Sequence, residues 1–169
     1  MIRIVDIFLS SIGLIILSPL IFLLYLIVFL ENNSPIFLQE RVGRKKKIFL
    51  LVKFRTMRKG TGNYATHLVD SSNISFLGNL LRRTKLDELP QLWNVLKGDM
   101  SIVGPRPCLI NQKELIEARL KFNLYNNKPG ITGLAQIKGI DMSDPNLLAE
   151  TEKKMLKNFN IISYFYYIL

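Results

Sequence analysis

The chain of 169 residues is long enough for one domain, and its 23 Lys and Arg against 13 Asp and Glu leave a net charge of +10. That surplus points to an anionic partner: nucleic acid, phosphorylated small molecules or anionic lipid. Cys108 is the only cysteine and His67 the only histidine. An intrachain disulfide and a cysteine-based zinc site are therefore excluded. A Ser-His-Asp relay would have to run through His67, which has no Gly-x-Ser-x-Gly elbow to serve and reads as a solvated or structural residue.

Ile7 to Leu30 is a run of 24 residues without a charge, which reads as a membrane segment. It is too long for a secretory signal peptide and no small-residue cleavage site follows it. Ser18 and Pro19 interrupt it in the middle. Proline removes a backbone donor and kinks a helix, which leaves two arms of 12 residues, each roughly 18 Å at about 1.5 Å per residue. Neither arm alone crosses a hydrocarbon core of about 30 Å. A straight helix would cross, and a sharply bent one would enter one leaflet and return; hydropathy leaves both open.

From Arg41 to Lys59 there are nine cations and no acid: Arg41, Arg44, Lys45, Lys46, Lys47, Lys53, Arg55, Arg58 and Lys59. Such a flank stays cytoplasmic, and Lys45 to Lys47 read as a grip on anionic lipid. Pro35–Val42 and Ile48–Thr56 read as two short strands around a turn at Gly43-Arg44-Lys45. The period of two sets Lys53 and Arg55 on one side and Phe54 on the other, so the pair is either a phosphate site or a solvated edge. Residues 60 to 72 form a polar loop in which Gly60-Thr61-Gly62 is too little for a nucleotide loop. Asn73 to Arg83 has helical spacing.

Thr84 to Pro107 carries the densest chemistry. Asp87 and Glu88 are adjacent, Arg82 and Arg83 precede them, and Arg106 stands between two prolines. Neighbouring carboxylates repel, so their ionisation needs arginines or a divalent metal close by. Thr84 with Asp87 reads as a capping box, and a helix starts within 84 to 90 and ends at Gly98. The dyad then sits at or just before a helix N-terminus, where carboxylates and phosphates are both favoured; equally, Asp87 could be only a cap and Glu88 a first-turn acid. Ser101–Val103 reads as a strand, Gly104 to Pro107 as a stiff loop that projects Arg106, Ile110–Phe122 as an amphipathic helix, Gly130 to Gly139 as a glycine-interrupted segment and Leu147–Phe159 as a last helix. The apolar tail Ile161–Leu169 suits a core or a membrane interface. The fold expected is α+β and mainly helical, with a broken N-terminal helix over residues 1–31 and a small domain over 32–169 that holds a β-hairpin.

Five blocks, RIVDIFLSSIGLIILSP, QERVG, KFRTM, TKLDELPQLWNVLKGDMSIVGPRP and PGITGLAQIKG, occur in an order that resembles the bacterial sugar transferase family, in the minimal form of a monotopic phosphoglycosyl transferase. They touch most of residues 3 to 139. The resemblance implies transfer of a phospho-sugar from a UDP-sugar to polyprenol (undecaprenyl) phosphate, with release of UMP, on the cytoplasmic face of the bacterial inner membrane. It implies Asp87 as nucleophile, Glu88 with Asp87 as magnesium ligands, and Arg82 as a cation for the lipid phosphate. Lys53, Arg55 and Arg106 match positions lining the active site, and Pro105 and Gln136 go with them as substrate-binding positions. Ser18 and Pro19 match the kink that makes the membrane helix re-entrant. One departure is that the family pattern has an aspartate about where this chain has Glu152, which leaves any metal or orienting role there in question. Three readings compete: a non-catalytic membrane-tethered basic module; a nucleic-acid binder, for which there is neither a recognition-helix motif nor an aromatic block of the RNA-binding kind; and a nucleotide-sugar hydrolase, in which the acyl-phosphate the resemblance implies is hydrolysed.

Overall fold

The computed structural model describes residues 1–57 and 74–168. The expectations for Arg58, Lys59, the Gly60-Thr61-Gly62 loop and His67 fall outside these residues. The chain opens with two helices, α1 (Ile2–Ile16) and α2 (Ser18–Asn32), bent by 63° at Leu17. Proline in the first turn of α2 explains the break, because it lacks the N–H that would bond back into α1. Ser18 Oγ donates to Ile15 O at 2.7 Å and satisfies one carbonyl freed there. Among the described residues no single helix is long and apolar enough to cross a membrane; the bent pair together passes that test.

Both arms dock on the rest of the protein by their inner faces. Ile2, Val5 and Leu9 of α1 pack on Val103, Met155 and Tyr164, and Leu24 and Val28 of α2 pack on Phe54 and Leu81. Burying each such side chain is worth about 1.5–3 kcal/mol. The outer faces leave Phe8, Ile15, Ile16, Phe22 and Leu30 more than 60% exposed, an apolar surface of the kind that marks an interaction site.

α1 is also fixed by polar contacts. The Asp6 carboxylate, 2% exposed, accepts from Ser101 Oγ (2.9 Å), Ile102 N (3.0 Å) and Tyr164 Oη (2.7 Å). Arg3 places both ends of its guanidinium on the last carbonyls of a later helix, Val95 O at 2.6 Å and Leu96 O at 2.8 Å, where a cation complements the helix dipole.

Strands β1 (Ile36–Val42) and β2 (Ile48–Phe54) form the expected antiparallel hairpin, in register Ile36 with Phe54 through Val42 with Ile48. α3 (Phe76–Arg83) is capped by Ser75, whose side chain accepts from Gly78 N. A Cβ on Gly78 would come within 2.1 Å of Thr56 O, so only glycine lets α3 approach the end of β2 this closely. α4 (Gln91–Lys97) ends at Gly98, in a left-handed conformation (φ 100°). Asn94 ties α4 to the open edge of β2: Nδ2 donates to Leu50 O at 2.7 Å and Oδ1 accepts from Val52 N at 2.9 Å. A side-chain amide thus takes the place of a neighbouring strand.

Three expectations are corrected. Thr84 is no N-cap; it closes α3, with its hydroxyl on Leu80 O at 2.8 Å. The glycine-interrupted segment contains a strand, β4 (Gly130–Thr132), parallel to β3 (Ser101–Val103), and a short helix, α6 (Leu134–Ile137). Three residues carry too little alternation to announce a strand, and the parallel partner lies far away in sequence. After α5 (Lys113–Lys121), α7 (Pro145–Lys157) is not the last helix. α8 (Ile161–Tyr166) follows, capped by Asn160, and sets Tyr164 in the core while Ile162 and Tyr166 stay exposed.

Candidate active site

The dyad lies on a single 3₁₀ turn, Leu86–Glu88, between α3 and α4. Lys85 just before it is left-handed (φ 58°), a conformation that costs a non-glycine residue on the order of 1 kcal/mol or more and gathers at functional sites. The turn folds the chain back, so that Arg82 at the end of α3 and Asp87 act on each other electrostatically.

The two neighbouring carboxylates have different surroundings. Asp87 is 6% exposed, and its Oδ1 meets no hydrogen-bond donor among the described residues. Burial, and then the charge of Glu88, hold its pKa above the usual carboxylate range, against the pull of Lys53, Arg82 and Lys85. Glu88 instead faces a large cavity, and its Oε1 accepts from Arg106 Nη2 at 3.3 Å.

Cations surround the pair. Lys53 comes from β2, and burial, then Arg41, lower its pKa to about 8. Arg41 comes from β1, and burial, then Arg106, lower its pKa to about 10. Lys53, Arg41, Gln91, Glu88 and Arg106 share a small hollow of about 30 Å³. Arg41, Glu88 and Arg106 also border a cavity of about 870 Å³ with Lys85 and Gln136. The apolar walls of this cavity include Leu17 at the helix bend, Leu89, Leu92, Ile137, Ile140 and Met142. A polar, cationic end thus meets an apolar body, which suits an amphiphilic or sugar-nucleotide ligand better than a small ion alone.

The structure sets Arg82 and Lys53 in the field of Asp87 and pairs Arg106 with Glu88; of these residues Glu88 and Arg106 line the large cavity, with Gln136 on its wall, while Asp87, Arg82 and Lys53 lie behind that lining. It does not bring Arg55 to the dyad by any described bond. Arg55 Nε donates to Ser34 O at 2.9 Å, and its guanidinium lies 5.2 Å from the centre of the Phe37 ring, where Lys53 Nζ also stands at 5.3 Å. The two cations do share a side of the hairpin, as the alternation predicts. Pro105 borders a separate hollow with Arg119 and Tyr125. Of the bend, Leu17 rather than Ser18 or Pro19 reaches the cavity wall. Arg41 was not singled out by the sequence as a site residue; its place inside the QERVG block was the available signal.

Glu152 is 1% exposed and is occupied elsewhere. Its Oε2 accepts from Arg119 Nε at 2.8 Å, and its Oε1 accepts from Arg119 Nη2 and from the Arg106 amide. With both oxygens engaged away from the cavity, it is not placed to hold a metal.

Comparison with known proteins gives the family. The family described as bacterial sugar transferase matches over residues 1–169. The chain is 32% identical over 164 residues to the UDP-N-acetylgalactosamine-undecaprenyl-phosphate N-acetylgalactosaminephosphotransferase of Aeromonas hydrophila, covering 92% of this chain and 39% of that protein. It is 35% identical over 176 residues to the undecaprenyl-phosphate galactose phosphotransferase of Salmonella typhimurium, covering 94% and 37%. It is 36% identical over 143 residues to the UDP-glucose:undecaprenyl-phosphate glucose-1-phosphate transferase of Caulobacter vibrioides, covering 82% and 54%. The chain therefore spans between 37% and 54% of the length of these three relatives. It belongs to the bacterial sugar transferase family.

Proposed function

We propose that the protein transfers a phospho-sugar from a UDP-sugar to undecaprenyl phosphate, through a covalent intermediate on Asp87, as the first membrane step of a glycan pathway. An Asp87 oxygen attacks the β-phosphorus of the donor. The bond from that phosphorus to the bridging oxygen breaks, and UMP leaves with the electron pair. A phosphate oxygen of the acceptor then attacks the same phosphorus and frees the carboxylate, giving a polyprenyl diphospho-sugar. Two half-reactions suit a water-soluble donor and a lipid acceptor, which need not be bound together.

The observation that carries this reading is the contrast inside the dyad. Asp87 has a buried oxygen that no described donor reaches, in the field of Lys53 and Arg82, while Glu88 is paired to Arg106 on the cavity wall. A carboxylate free of hydrogen bonds keeps its lone pairs for attack, and the cations screen the approach of anion to anion. No third acid joins Asp87 and Glu88 among the described residues, and two carboxylates completed by phosphate oxygens and water fit magnesium. Glu88 and Asp87 would hold the ion, which when bound supplies neutralisation of the donor diphosphate.

The bent helix pair, apolar outside and docked inside, supports a monotopic re-entrant anchor that holds the dyad at headgroup depth on the cytoplasmic face. The exposed Ile162, Phe165 and Tyr166 of α8 support an interfacial tail. The test is UMP release from a panel of UDP-sugars with undecaprenyl phosphate and magnesium. At least one donor is expected to turn over, and release at full rate without acceptor would make the protein a hydrolase instead.

A further inference from the structure

The loop Gly104-Pro105-Arg106-Pro107 is held along its whole backbone. Gly104 N donates to Thr132 O at 2.9 Å, and Gln136 Nε2 reaches Gly104 O at 3.5 Å. Pro105 O accepts from Gly130 N at 2.8 Å, and Pro107 O from Arg41 Nη1 at 2.9 Å. At Arg106 itself both backbone groups are taken by one buried ion pair: its N–H donates to Glu152 Oε1 at 3.3 Å, and its carbonyl accepts from Arg119 Nη2 at 2.8 Å. The prolines have no N–H to satisfy. A Cβ on Gly104 would lie 2.5 Å from Lys128 O and one on Gly130 2.0 Å from Gly104 N, so the loop is pressed against its neighbour with no room to shift. The side chain that leaves this mount is Arg106, 40% exposed and ending on Glu88.

We infer that Arg119 and Glu152 are positioning residues for the transfer reaction: they fix the Arg106 backbone so that its guanidinium meets Glu88 and the donor diphosphate at the cavity. The pair is not needed to join its two helices, and Arg119 also borders Tyr125 in the hollow behind the loop. Arg119 lies on α5 and Glu152 on α7, and those helices are already joined by an apolar cluster of Ala118, Ala149 and Leu124 from the turn after α5. Arg119 serves Glu152 through two nitrogens and the Arg106 carbonyl through one of them, in a planar fork whose fixed geometry the rotating point charge of an ammonium does not reproduce. The inference rests on the reading of Arg106 as a donor-binding residue given above.

The test uses the full chain in detergent or lipid discs, with UDP-sugar and undecaprenyl phosphate varied separately and thermal melting measured on every variant. Arg119→Lys keeps the charge opposite Glu152 and loses the fork. It is expected to lower kcat/KM for the UDP-sugar about tenfold and to leave KM for the lipid acceptor unchanged. Arg106→Ala is expected to lower the same parameter further, and the double variant Arg106→Ala, Arg119→Lys to be no slower than Arg106→Ala alone, because the second residue acts through the first. Full additivity in the double variant, or a loss confined to the acceptor KM, overturns the inference. A wild-type rate for Arg106→Ala overturns instead the placement of Arg106 in the site. If Arg119→Lys fails to fold, Glu152→Asp, which keeps the ion pair and draws the carboxylate back from the Arg106 amide, is run through the same cycle, and the same outcomes decide.

Discussion

Asp87 and Glu152 are both buried acids of this chain, and they are treated in opposite ways. Glu152 has both oxygens filled by Arg119 and by a backbone amide. Asp6, at the root of α1, has three donors on one oxygen. Asp87 has an oxygen that no described donor reaches, and cations that act on it through space. A buried charge with every lone pair engaged is structure, since breaking it strands a charge in a poor solvent. A buried charge left short of partners is destabilising, and its retention calls for a use. The comparison separates carboxylates that hold the fold from the one we propose as the nucleophile.

Substitution should therefore give opposite signatures in the two regions. Asp87→Asn is expected to lower turnover by on the order of 10³-fold or more, the scale of losing a covalent nucleophile, with a melting temperature equal to or above that of the native protein. Steady-state UMP release and a thermal melt on the same sample check both halves. Glu152→Gln leaves Arg119 buried without its counter-charge and is expected to cost about 3–5 kcal/mol, seen as a lower denaturant midpoint. A loss of stability in Asp87→Asn as large as that in Glu152→Gln would break the comparison.

Smaller effects sharpen it. Lys53 titrates at about 8 in the folded protein against 10.5 for a free amine. Between those values the unfolded chain binds more protons, so the contribution of Lys53 to stability improves as pH rises through the window. Activity should fall there, because Asp87 and the donor lose a nearby cation. The acid limb runs the other way. Asp87 has a raised folded pKa, so activity should disappear at a pH above the usual carboxylate range while its burial penalty is relieved. A pH–rate profile beside a pH–stability profile reads both, and parallel movement of the two would count against the roles given to Lys53 and Asp87. Lys53→Met should raise stability at neutral pH, since it removes a charge that burial disfavours, and should reduce turnover. Asn94→Ala removes two bonds to β2 and should cost about 1–3 kcal/mol, with kcat/KM nearly unchanged in the remaining folded protein.

The parts of the fold that local chemistry determines were legible in the sequence. Pro19 announced a break in the apolar run, alternation announced the hairpin and the shared side of Lys53 and Arg55, and Gly98 announced the end of α4. What was not legible depends on residues far apart in the chain. Asp6, Ser101 and Tyr164 meet across 158 positions, and no local pattern marks such a contact. The β3–β4 pair is three residues per strand. Thr84 has the same spacing to Asp87 that a capping box would show, but Lys85 turns left-handed between them and gives the threonine to the preceding helix. The site was legible as a set of residue types. Which of its charges would be satisfied and which left short was visible only once Arg119, from another helix, was seen to occupy Glu152.

The most direct measurement is to incubate the purified protein with a UDP-sugar and magnesium, without lipid acceptor, and to map the product by peptide mass spectrometry. One phospho-sugar per chain on the peptide that contains Asp87, with an equal amount of UMP released, is the expected result. UMP formed only when acceptor is present, with the Asp87 peptide unmodified throughout, would contradict the covalent mechanism.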